Sequence, residues 1–157
     1  MASRYDGACD RVNDPMVETR LDGPYWIADI LPAQVPKGAA GQYFAVDRYF
    51  RAPARQAALH RRQAELLLRL NCYYDMAVSF DGGEHWETNP APEPFADALT
   101  SLSTGSFLRA LFPALDTMID VEPEDTWMTV YCPQDPPELL RQLIAGEGLF
   151  LWQPPRD

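Results

Sequence analysis

Lysine is nearly missing from this chain of 157 residues: Lys37 stands alone, and histidine occurs twice. A phosphate-binding GxxxxGK[ST] loop needs its lysine as well as its glycines. None lies near Ser103, Thr104, Gly105 and Ser106, so their hydroxyls are assigned to capping and turns. Cysteine is also scarce. Cys9, Cys72 and Cys132 are odd in number and show no CxxC spacing, which argues against a disulfide framework and a zinc site and suits reduced thiols in a cytoplasmic protein. Cys72 and Cys132 border apolar runs and read as small core residues. No window approaches the roughly 18 apolar residues of a membrane span. The N-terminus has neither the apolar stretch of a secretory leader nor a basic presequence. No internal repeat and no cofactor motif is visible, and the expectation is no cofactor, no metal and no membrane.

What the chain has in quantity is acid, with a net charge of −10. The charge is uneven. Residues 51–72 carry 5 basic side chains against 1 acidic, whereas residues 73–157 carry 15 acidic against 3 basic, a balance of −12. Such a half repels nucleic-acid phosphates and anionic membranes and attracts basic proteins over long range. Hydrophobic content of 46% supplies one sizeable core, while 15 prolines imply many stops. Residues 1–22, with five carboxylates, three arginines and no period, are expected to form a loose arm before a single domain at 23–157.

The strongest local signal runs from Cys72 to Asn89. Tyr73, Tyr74, Met76, Val78 and Phe80 suit a pleated surface. Asp81-Gly82-Gly83 offers the positive-φ residues of a tight turn, and Trp86 and Thr88 resume the alternation, so a β-hairpin is predicted. Ser79, Asp81, Gly83 and Trp86 follow the SxDxGxxW spacing and so resemble the Asp-box hairpin of sialidase-like propellers. That resemblance covers eight residues and implies a structural role, the aspartate turning onto its own loop with the aromatic beneath. One copy does not make a propeller of several blades.

Around this hairpin the apolar pattern predicts further elements. Tyr25 to Leu31 reads as a strand stopped by Pro32. Gln42 to Phe50 alternates as a second strand paired with it, in which Asp47 and Arg48 stand among apolar neighbours. Ala54 to Leu70 is a helix burying Leu59, Leu66, Leu67 and Leu70. Its Arg55, Arg62 and Arg69 line another face, as a solvated stripe or as an anion or carboxylate site, and His60 beside Arg61 and Arg62 reads as surface. Phe95 to Leu102 and Phe107 to Phe112 follow as short helices. Thr117 to Val121 and Thr126 to Cys132 form a strand pair, Asp135-Pro136-Pro137-Glu138 starts a helix that ends near Gly146, and Leu149 to Trp152 is a last strand. The predicted fold is α+β, one twisted and mostly antiparallel sheet, mixed in part, with helices largely on one face. A crossover joins its final strands.

Three functions fit. The preferred one is a non-enzymatic acidic module of inhibitor or immunity type that covers a basic surface of a partner protein. Asp116, Asp120, Glu122, Glu124 and Asp125 supply its carboxylates, and Trp127 and Tyr131 are aromatic residues of the kind enriched at interface hot spots. The same carboxylates lack the glycine and final glutamate of a calcium loop. The second is a small hydrolase using Asp81, Glu84, His85 and Glu87, or Cys72 as a nucleophile with His85 across adjoining strands. The third is a structural subunit that associates with itself through exposed aromatics.

Overall fold

The computed structural model describes residues 15–155 as one α+β domain. Residues 15–21 are helical and are labelled α1. The other helices are α2 (Tyr43–Arg51), α3 (Pro53–Asn71), α4 (Pro92–Thr100) and α5 (Glu138–Gly146). The strands are β1 (Tyr25–Asp29), β2 (Ala77–Ser79), β3 (Glu87–Thr88), β4 (Leu108–Phe112), β5 (Thr117–Val121), β6 (Met128–Tyr131) and β7 (Phe150–Trp152). They form one open sheet in the order β3-β2-β4-β5-β6-β1-β7, and every neighbouring pair of strands is antiparallel.

Alternation along the strands sorts the sheet into two faces. One carries Val78, Ala110, Ile119, Val130 and Trp26 in a single cross-strand row and packs against Leu66, Leu67 and Leu70 of α3, Phe95 and Leu99 of α4, and Leu140 and Ile144 of α5. This is the main core. Burying its leucines at helical spacing is what holds the 19-residue α3 in place, because short helices gain most of their stability from packing. The second face is covered less fully. Met16 and Val17 of α1 pack on Ala77, Leu111 and Met118, while α2 stands over β1 and β6 and leaves a cleft between.

Several expectations are overturned. The stretch read as a strand from Gln42 to Phe50 is the helix α2 with Gln42 at its N-cap position, and β1 pairs with β6 and β7 instead. The alternating apolar types in this run also satisfy a helical face, with Tyr43, Val46 and Phe50 three and four apart, and Asp47 bonds Arg51 at 2.8 Å one turn on. The stretch at 107–112 is not a second helix: β4 lies in the sheet between β2 and β5. Five apolar residues at 107–112, interrupted by Arg109, fix no period of their own, and two flanking strands decided it. α5 begins at Glu138 with Pro137 at its N-cap position, and Asp135 makes no cap. Tyr73 and Tyr74 follow α3 in a turn rather than opening the hairpin strand. The closing β6-α5-β7 crossover passes over β1, so its strands are parallel but not adjacent. Of the expected arm, 15–21 is the packed helix α1; residues 1–14, with Cys9, lie outside the described residues.

Candidate functional site

The seven residues read as a partner surface are dispersed along β5, its turn and β6. Asp116 precedes β5, exposed and left-handed at φ 51, with Arg20 Nε 3.8 Å away. Glu122 lies at the other end of that strand, roughly 20 Å off at the strand rise. Asp120, between them, is buried: Arg109 on β4 donates to it through Nε at 3.0 Å and Nη2 at 2.9 Å. Burial lifts the Asp120 carboxyl above its usual range, and the guanidinium pulls it back only in part. For Arg109, burial works against the charge, but the bonds to Asp120 outweigh it and raise its pKa. We take the pair as charged on both sides, as the bidentate geometry requires.

Glu122, Glu124 and Asp125 share the β5–β6 turn. α2 and α3 clamp its backbone: Arg51 donates to the Glu124 carbonyl, Gln56 Nε2 to the Asp125 carbonyl at 3.4 Å, and His60 Nε2 to the Pro123 carbonyl at 3.2 Å. His60 is therefore not a surface residue. It is 2% exposed, with Nδ1 2.8 Å from the Gln63 side chain, because the turn folds over this part of α3. Burial, then neighbouring acids led by Asp125, raise the Glu122 pKa. Asp125 is also raised, by burial first, although Arg51 opposes the shift.

Trp127 and Tyr131 belong elsewhere, in the cleft on the second face. Ile27, Thr129 and Tyr131 floor it, Trp127, Trp152 and Tyr25 flank them, and Tyr43, Val46 and Asp47 of α2 form the far wall. Its volume is about 550 Å³. The Tyr25 and Tyr131 rings pack with centroids 6.0 Å apart. Asp29 closes β1 at the cleft, 9% exposed, its Oδ1 accepting the Ile30 N–H at 2.7 Å. Burial raises its pKa, backbone donors at Ile30 and Leu31 offset part of the rise, and the like charge of Asp47 adds to it. No lysine, arginine or histidine lines the cleft among the described residues. The sequence signal for Asp29 is a single acid inside an otherwise apolar strand.

The central hairpin forms as predicted, Ala77 opposite Thr88 and Val78 opposite Glu87. Its turn is held from within. Ser79 Oγ accepts the Gly83 N–H at 2.9 Å, Asp81 Oδ1 accepts the His85 N–H at 3.0 Å, and the His85 ring meets the other Asp81 oxygen. These bonds, the His85 backbone first, hold the Asp81 carboxyl well below the usual carboxylate range. Trp86 lies under Gly83. Asp81, Glu84 and His85 converge on the exposed surface of the loop, whereas Glu87 sits on β3.

Cys72 is the C-cap of α3, exposed, its thiol directed at the Leu68 carbonyl. It is thus neither a core residue nor on a strand beside His85; the helix runs to Asn71, one residue past its last leucine, and Cys72 caps it. Cys132 is buried as expected. The arginine stripe is consumed within the fold. Arg62 and Arg69 both meet Glu147 at the end of α5, and Arg55 lies 3.6 Å over the Tyr49 ring.

No helix among the described residues is long and apolar enough to cross a membrane. Comparison with protein-family models, with curated proteins and with solved structures finds no match to this chain.

Proposed function

We propose that this protein is a non-enzymatic acidic module of inhibitor or immunity type that covers a basic surface of a partner protein. The observation that carries the reading is the carboxylate surplus at one end of the second sheet face. There Glu122, Glu124 and Asp125 adjoin, through Thr126 and Trp127, the cleft that holds Asp29 and Asp47. Two nearby cations are engaged internally, Arg109 by Asp120 and Arg51 by Asp47 and the Glu124 carbonyl. A basic surface docking here relieves the mutual repulsion of these acids, speeds encounter and disfavours acidic competitors. The reading includes a cytoplasmic setting, which suits an odd set of cysteines without framework spacing.

The test is retention of partners from host lysate at low and high salt, identified by mass spectrometry. One basic protein should be held at low salt and weakened at high salt. The combined substitution Glu122→Lys, Glu124→Lys, Asp125→Lys should release it. Absence of any specific partner under both conditions would overturn the reading.

A further inference from the structure

We propose that the cleft between α2 and the second face of the sheet is a pocket for an arginine side chain, presented by the basic partner. The inference rests on the function proposed above and names the group that is recognised.

Three observations converge on that chemistry. The first is a buried acid with no basic residue beside it in the cleft among the described residues. Asp29 is 9% exposed, its hydrogen bonds come from its own backbone at Ile30 and Leu31, and the charge acting on it is that of a second acid, Asp47. Burying a charge without a counter-charge is costly, so a cation entering here gains what no described residue of the cleft supplies. The second is the wall material. Tyr25, Trp127, Tyr131 and Trp152 offer aromatic faces, to which a weakly hydrated planar guanidinium is attracted more readily than a compact ammonium. The third is an orphan donor. The Trp152 indole N–H is buried and has no hydrogen-bond partner among the described residues, and Trp152 stands opposite Ile27, two residues along β1 from Asp29. That offset is roughly 7 Å at the strand rise. Once the atoms covering it shift, the Trp152 N–H is a donor for a backbone carbonyl of the residue whose side chain reaches Asp29.

Each part selects. An apolar ligand would leave Asp29 unpaired, a free anion would be repelled by both acids, and a lysine would forgo the forked bonding that a carboxylate accepts from arginine. Asp47 stands on the α2 wall, already held on one oxygen by Arg51 at 2.8 Å, and presents its charge to the same space.

The experiment is an NMR titration of the full chain, at constant ionic strength, with N-acetyl-arginine methylamide and its uncharged citrulline isostere. The indole N–H signals of Trp127 and Trp152 are followed. The arginine probe should shift both saturably, and citrulline should bind at least about tenfold more weakly, the loss of one charge-assisted contact. Asp29→Asn keeps an acceptor for the Ile30 N–H and removes the buried charge. Its melting temperature should equal or exceed that of the unsubstituted protein while its affinity for the arginine probe falls about tenfold or more. Trp152→Phe, read at Trp127, should weaken the probe severalfold with the fold intact. Equal binding of citrulline, unchanged binding by Asp29→Asn, or no saturable shift would overturn the pocket. Partner retention lost in the triple lysine variant but intact in Asp29→Asn would also overturn it and leave the acidic-module reading standing. Specific arginine binding with no partner in lysate would have the opposite meaning.

Discussion

Replacing Asp120 by alanine should destabilise the fold by about 3–5 kcal/mol, the usual consequence of removing one partner from a buried ion pair. The structure gives the reason. Side-chain exposure is 12% at Arg109 and 9% at Asp120, so the alanine removes two charge-assisted hydrogen bonds and strands a guanidinium within the sheet. For a chain of this size each kcal/mol moves the melting temperature by about 2–4 °C, so a fall of roughly 6–20 °C is expected. Urea denaturation and calorimetry measure it. Glu124→Ala, on an exposed carboxylate of the neighbouring turn, is the control and should stay within about 0.5 kcal/mol. The paired change Arg109→Met with Asp120→Leu should recover most of the loss, because the desolvation of both charges vanishes with their attraction. A single alanine variant within about 1 kcal/mol of the parent would refute a structural role for the pair and return Asp120 to the partner surface.

Two further outcomes follow from the same geometry. Asn89 adopts φ 50, accepts the Met76 N–H at 3.0 Å and the Asn71 amide at 2.8 Å, and donates to Asp75 at 2.9 Å, tying the hairpin base to the end of α3. Asn89→Ala should cost about 2–3 kcal/mol in urea denaturation, from lost bonds and a left-handed alanine, while Asn89→Gly should recover only the backbone share. Stability should also depend on pH in two opposed ways. Asp29, Glu122 and Asp125 have raised pKa values in the folded protein, which therefore binds their protons more tightly than the unfolded chain does. Stability from these groups rises as pH falls from neutral through the raised values. Asp81 is depressed, so its contribution is complete above the ordinary value of 3.8 and is lost as pH falls below it. The melting temperature should peak at mildly acidic pH, and a steady fall from neutral downward would contradict the assignment.

The sequence by itself determined those features whose physics is local. Asp81-Gly82-Gly83 makes a turn wherever it lies, since Gly82 and Gly83 reach φ 76 and 95 without a side-chain clash and Ser79 and Asp81 bond their own loop. The leucine spacing from 59 to 70 makes one buried helical stripe, and the α+β class follows from the mixture of periods. Tertiary structure alone decided the rest. Residues 43–51 and 108–112 carry apolar types that suit either period, and their states were set by what stood beside them, solvent and α3 in one case and two strands in the other. His60 became interior only because a turn 63 residues away closed over it. The cleft depends most on long-range placement. Asp29, Asp47, Trp127, Tyr131 and Trp152 come from β1, α2, the approach to β6, β6 and β7. Chain pattern records how a residue meets its near neighbours; which distant elements share a face is fixed by strand order, and no local period encodes that order.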